Sequence, residues 1–271
     1  MASFLDNAFV SWAQFGFMRM ALLAAILLAP LLGLLGTMAV DGKMAFFADS
    51  LGHTALTGIA IGALLGLSAP LWAMLIFGVL YALLLSLVKA RGKASTDTTI
   101  SVFSSVGMAL GIVLLSRKGG FPRYSSVLIG DLLAIEMADI IPIAATLALT
   151  VLYWAFLYNK LLLTQISGEI AASRGIRVRA VETSFACLLA IVVMLSIRWV
   201  GVLLISAMLI LPSASARNAA RNVRGYHLYS ILIALFSAVS GLFLSYAFDL
   251  APGATIVLVL AACYAWTLRR R

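Results

Sequence analysis

Asp49-Ser-Leu-Gly-His53-Thr-Ala-Leu-Thr-Gly58-Ile-Ala-Ile-Gly62-Ala-Leu-Leu-Gly66-Leu67 decides how the rest of the chain is read. Apart from His53, everything after Asp49 is apolar, small or hydroxylic, so the stretch reads as a helix that enters a membrane. Asp49 and His53 are four residues apart and share one face of that helix. Ionisable groups in such a setting are costly enough to mark function. A carboxylate with a neutral imidazole suits zinc or manganese, whereas an oxygen-only set suits magnesium or calcium. Two ligands are too few for a tight, closed site. That deficit fits an ion in passage, with a second copy of the chain or water supplying the remaining ligands. The competing reading makes Asp49 a helix N-cap and His53 a donor to a nearby carbonyl. Gly58, Gly62 and Gly66 recur every four residues, a stripe that lets membrane helices approach closely. At about 100° per residue this stripe points away from the face expected to carry Asp49, His53 and Thr57.

The whole chain supports the membrane setting. Of 271 residues, 63% are hydrophobic and 11% charged, with a mean hydropathy of +1.11, too little polar surface for a soluble globule. The expected fold class is all-α: a polytopic integral membrane bundle of about eight to nine transmembrane helices, forming one transmembrane domain over 1–271. With about 20 residues per span, the candidates are Phe17–Val40, Ser50–Leu67, Leu71–Val88, Thr99–Ser116, Asp139–Tyr158, Ala180–Ile197, Val200–Ala216, Leu228–Phe248 and Gly253–Leu268. Only Arg198-Trp199 separates the sixth from the seventh, so these two also read as one broken span. Basic residues gather in Lys89–Lys93, Lys160–Arg179, Arg217–Arg224 and Arg269–Arg271. The positive-inside rule places all four groups in the cytoplasm, which nine spans satisfy with the N-terminus outside. Arg117, Lys118 and Arg123 would then lie outside, offset by Asp131, Glu136 and Asp139. The +9 net charge is therefore a matter of membrane orientation and not of nucleic-acid binding. Met1 to Phe17 lack the pattern of a removable signal peptide. Polar stretches are too short for a soluble domain, so any energy source or substrate-capturing protein must be a separate chain.

Catalysis is not indicated. Gly42-Lys43 lacks the leading glycine and the following hydroxyl of a phosphate-binding loop, having Thr37 and Met44 there. No nucleophile elbow or His-Glu-x-x-His pair occurs. Cys187 and Cys263 sit apart in apolar runs and suggest neither disulfide nor thiolate site. His227 beside Tyr226 reads as interfacial, and Asp97 as a helix cap. Gln165-Ile-Ser-Gly-Glu169-Ile-Ala171-Ala-Ser-Arg-Gly175-Ile176 reads as a short helix closed by a glycine C-cap. It is either an amphipathic connector or a helix that lies in the groove of another protein.

Five landmarks in order resemble the membrane permeases of ATP-binding-cassette importers for zinc, manganese or iron, most closely the zinc type. They are Asp49 to Gly58 with Gly62; Asp97-Thr-Thr-Ile-Ser-Val with Gly111; Leu128-Ile-Gly-Asp-Leu-Leu133; Ile166 to Gly175; and Val200 to Pro212-Ser-Ala-Ser-Ala216. The resemblance implies a homodimeric permease of the bacterial inner membrane, without an ATPase site of its own. It would work with cytoplasmic ATP-binding subunits and an extracytoplasmic metal-binding protein, in contact with membrane lipid. Zinc, or manganese or iron, would be the transported substrate and not a permanently bound cofactor. Asp49 and His53 match the family's residues in the translocation path; Glu169, Ala171 and Gly175 match its coupling segment. Thr57 stands where many members have proline, Ser167 where many have aspartate, and Ser105 where some zinc permeases have histidine. The rival outside the family is an ATP-independent secondary metal transporter, whose characteristic inverted repeat is not evident here; a chelate permease of related architecture is a third reading.

Overall fold

A computed structural model describes residues 15–67, 71–91, 95–116 and 130–269. The expectations for the N-terminal signal pattern and for Arg117, Lys118 and Arg123 lie outside the described residues. Within them the chain is helical: α1 Gly16–Asp41, α2 Ala45–Leu64, α3 Leu71–Arg91, α4 Thr96–Ser116, α5 Met137–Ile166, α6 Gly168–Ser173, α7 Val178–Ala219, α8 Val223–Phe248 and α9 Pro252–Leu268, with a 3-10 turn at Leu132–Ala134. Among the described residues, six helices (α1, α3, α4, α5, α7 and α8) are long and apolar enough to cross a membrane. α2 has the length, 20 residues, but Asp49, His53 and its hydroxyls lower its hydropathy; α9 is apolar but has 17 residues.

α7 settles the sixth and seventh candidate spans. Its 42 residues would run about 63 Å as one rod, twice a hydrocarbon core of about 30 Å. It is two helices joined at Gly201, whose φ of 76° and ψ of 167° are not helical. The break therefore falls beyond Arg198-Trp199, the expected boundary. Glycine reaches this backbone region without the clash a Cβ brings, while Trp199 continues the first helix and is buried. Counted at this break, every expected span has a helix.

The chain groups into two compact units. One comprises Met1–Val40, Asp131–Leu149 and Leu203–Arg271; the other Asp41–Gly130 and Thr150–Val202. In the first, small residues bring α1, the second half of α7 and α8 together. A Cβ on Gly36 would strike the Leu209 carbonyl, and one on Gly33 would lie 3.1 Å from the Ser230 carbonyl. Ser230 donates to the Gly33 carbonyl at 2.7 Å and shares a hydrogen bond with Ser213 at 3.1 Å. This is the close-packed, hydroxyl-assisted association that membrane helices use in place of a hydrophobic driving force.

In the second unit α2 is the hub. It lies on α3, where a Cβ at Gly58 would be 2.7 Å from the Met74 Cα, and on α4, where Gly107 leaves room for Thr54 and Gly111 for Thr57. Tyr81 of α3 hydrogen-bonds Ser50 and stacks on Phe47 with ring centroids 6.0 Å apart. Many apolar side chains remain exposed, including Ile141, Leu152 and Phe156 of α5, on a helix long and apolar enough to cross a membrane.

Candidate functional site

Met44 occupies the N-cap of α2 and offers no side-chain cap, so Asp49 lies in the second turn and is not the helix cap that the competing reading made it. His53 Nε2 is 3.5 Å from Asp49 Oδ2, with side chains 43% and 46% exposed. From Phe47 to Ala60 these two are the only residues that are not buried. The helix thus spends the rest of that surface on packing and leaves the acid and the imidazole reachable.

Each remaining side of α2 has an identifiable seat. Ser50 bonds Tyr81, Thr54 returns its hydroxyl to the Ser50 carbonyl at 2.9 Å, and Thr57 donates to the Gly107 carbonyl. Thr57 therefore does not share the accessible face with Asp49 and His53, contrary to expectation. Four residues advance about 400°, so each four-residue step drifts about 40°, and two steps carry Thr57 into the α4 contact. Gly52, between the two candidate ligands, receives the Val202 side chain, and no Cβ would fit there. Val202 follows the break at Gly201, and Gly130, itself at φ 62°, presses its backbone on Val200 and Gly201. The break in α7 thus braces the helix that carries the acid–imidazole pair. Sequence reading passed over Gly52; its only signal was a glycine between two candidate ligands.

The glycine stripe divides. Gly58 and Gly62 are buried in α2, whereas Gly66 lies beyond the helix end at φ 70°, with open space where a Cβ would be. Gly66 ends the helix and is no part of the packing seen among the described residues. Among the described residues no group of three His, Cys, Asp or Glu is assembled that could hold a metal.

The second candidate region lies between α5 and α7. Ser167 caps α6 by accepting from the Ile170 N–H at 3.3 Å, and Glu169 sits exposed in the first turn, where the helix dipole favours an acid. At the other end Gly175 adopts φ 76°. Its N–H reaches the Ala172 carbonyl at 2.9 Å, and the Ile176 N–H reaches that of Ala171 at 3.0 Å. This paired closure is a Schellman motif. Ala171 is buried, while Ile170 and Arg174 stay exposed.

The other polar candidates take structural places. Ser95 accepts from the Thr98 N–H at 3.2 Å and so caps α4, leaving Asp97 in its first turn. Asp131 accepts from the Leu133 N–H at 2.9 Å, and Asp139 from that of Glu136 at 3.3 Å. His227 Nδ1 lies 2.8 Å from the Thr37 hydroxyl, whose carbonyl accepts from Tyr226 at 3.3 Å.

Fold and site together define a polytopic helical membrane protein with an accessible acid–imidazole pair on one of its helices. The chain belongs to the ABC 3 transport family, whose profile matches residues 14–270. It is 31% identical over 252 residues to the high-affinity zinc uptake system membrane protein ZnuB of Haemophilus influenzae, covering 93% of this chain and 96% of that one. It is 30% identical over 254 residues to the manganese import system permease protein ScaB of Streptococcus parasanguinis, covering 93% and 89%. Among solved structures, PsaBC from Streptococcus pneumoniae in complex with Fab matches with a TM-score of 0.82 at 28% identity, covering 98% of this chain and 94% of that one.

Proposed function

We propose that residues 1–271 form one transmembrane permease domain of an ATP-binding-cassette importer that carries a divalent transition metal, zinc in the first instance, across the inner membrane. The observation that carries this reading is the accessible Asp49–His53 pair on an otherwise buried stretch of α2. A carboxylate and an imidazole form a borderline-soft donor set suited to zinc and manganese, and a two-ligand site binds weakly enough to release its ion. A second copy of the chain supplies further ligands in a homodimer. Similarity to a zinc uptake membrane protein supports zinc, and the equally extensive similarity to a manganese import permease supports manganese as the second reading.

The driving force comes from separate cytoplasmic ATP-binding subunits, and an extracytoplasmic metal-binding protein delivers the ion. The α6 segment is the docking element for the ATPase. Its Schellman closure at Gly175 and the burial of Ala171 hold a short, stiff helix in place, with Glu169 presented outward. ATP-driven closure of the ATPase pair pushes on α6 and switches the side of the membrane from which Asp49 and His53 are reached.

Metal uptake into a metal-starved host tests the site. Asp49→Ala and His53→Ala chains that insert at normal levels are expected to lose accumulation of zinc, or of manganese. Normal uptake by either would overturn the site. Copurification of an ATPase with the intact chain, lost on Glu169→Arg, tests the docking element; uptake that persists after ATP depletion would instead favour a secondary transporter.

A further inference from the structure

We propose that the groove between α8 and α9, at their arginine-bearing end, binds an anionic phospholipid of the cytoplasmic leaflet. The two helices are antiparallel neighbours: a Cβ at Gly241 would lie 2.6 Å from the Ile256 Cα, and Ser237 lies 3.7 Å from the Cys263 sulfur. Beside these contacts is an apolar groove of about 600 Å³ lined by Leu232, Phe236, Val259, Trp266 and Thr267, among others. Trp266 and Phe236 are well exposed along it.

Three features select a lipid. The first is charge. α8 begins just after Arg221 and carries Arg224 in its first turn, and α9 runs into Arg269-Arg270-Arg271. Arg221, Arg224 and Arg269 are exposed. The sequence holds no Asp or Glu in 203–248 or 250–271; Asp249 lies at the opposite end of the hairpin. An arginine collar around a cytoplasmic inter-helix pocket, with no acid on the two helices that form it, attracts anionic headgroups. The second is length. From Val259 to Thr267 the groove runs about 12 Å along α9, close to the ~15 Å of one leaflet's hydrocarbon. The third is Trp266 at the arginine end, a residue type that favours the membrane–water interface. The groove thus matches an acyl chain below and a phosphate above. This inference is independent of the metal reading.

Native mass spectrometry of the full-length chain in detergent, titrated with phosphatidylglycerol or phosphatidylcholine, tests it. Phosphatidylglycerol is expected to be retained preferentially. Arg224→Gln and Arg269→Gln should each weaken that preference about fivefold, the worth of one basic residue near a charged headgroup. Ala262→Trp, which fills the groove from an exposed lining position, should abolish it in a chain that still runs as folded protein. Equal retention of the two lipids, an unchanged preference in the arginine variants or in Ala262→Trp, or disulfide crosslinking of Cys263 between two chains in native membranes would each overturn the assignment.

Discussion

The chain has two histidines, and their surroundings differ: those of His53 suit the proposed metal site, those of His227 a structural support. His53 shares one helix with its partner: Asp49 is one turn away, the contact is 3.5 Å and both groups are reachable. His227 meets Thr37, 190 residues distant in sequence, at 2.8 Å in a half-buried contact that ties α8 to α1. An imidazole beside an accessible carboxylate gains a second metal-binding donor. An imidazole that shares a proton with a buried hydroxyl holds two helices together instead. The residue type is the same in both places; the neighbour decides what it does.

The sharpest break in this comparison comes from removing each imidazole in turn. His53→Ala, like Asp49→Ala, is expected to lower metal uptake by at least about tenfold, since even outer-shell losses at metal sites cost about 10–100-fold, with little change in stability. The reverse pattern, with His227→Ala abolishing uptake and His53→Ala sparing it, would invert the assignment. Gly52→Val comes next. It touches neither candidate ligand but forces a side chain into the space of Val202, and overpacking of this kind costs about 1–3 kcal/mol. Thermal unfolding in detergent should show that loss, and uptake should fall with it because the helix bearing His53 shifts. Gly201→Ala belongs in the same range: its φ of 76° and ψ of 167° lie in a region essentially reserved for glycine, at about 1–3 kcal/mol for other residues.

His227→Ala follows, costing about 1 kcal/mol through the lost hydrogen bond while uptake per inserted chain stays near normal. Smallest is Lys89→Ala. The Lys89–Glu182 pair is 3.6 Å apart and well exposed, so its loss should stay below about 1 kcal/mol and disappear at high salt.

The membrane class, the span positions and the Asp49–His53 pair were legible in the sequence because each depends on short-range information. A run of apolar residues must bury its backbone polarity in a helix whatever its neighbours are, and residues four apart share a face by helical geometry alone. The glycine closure of α6 at Gly175 was readable for the same reason, since a Schellman motif is built from consecutive residues. Tertiary packing decided the rest. It took Thr57 off the accessible face and set it against Gly107, put Gly52 in the path of Val202, moved the break in α7 to Gly201 and joined His227 to Thr37. Those outcomes depend on which surfaces meet across long stretches of chain: the four-residue spacing of Gly58 and Gly62 announced close packing, but not the surface that would be met.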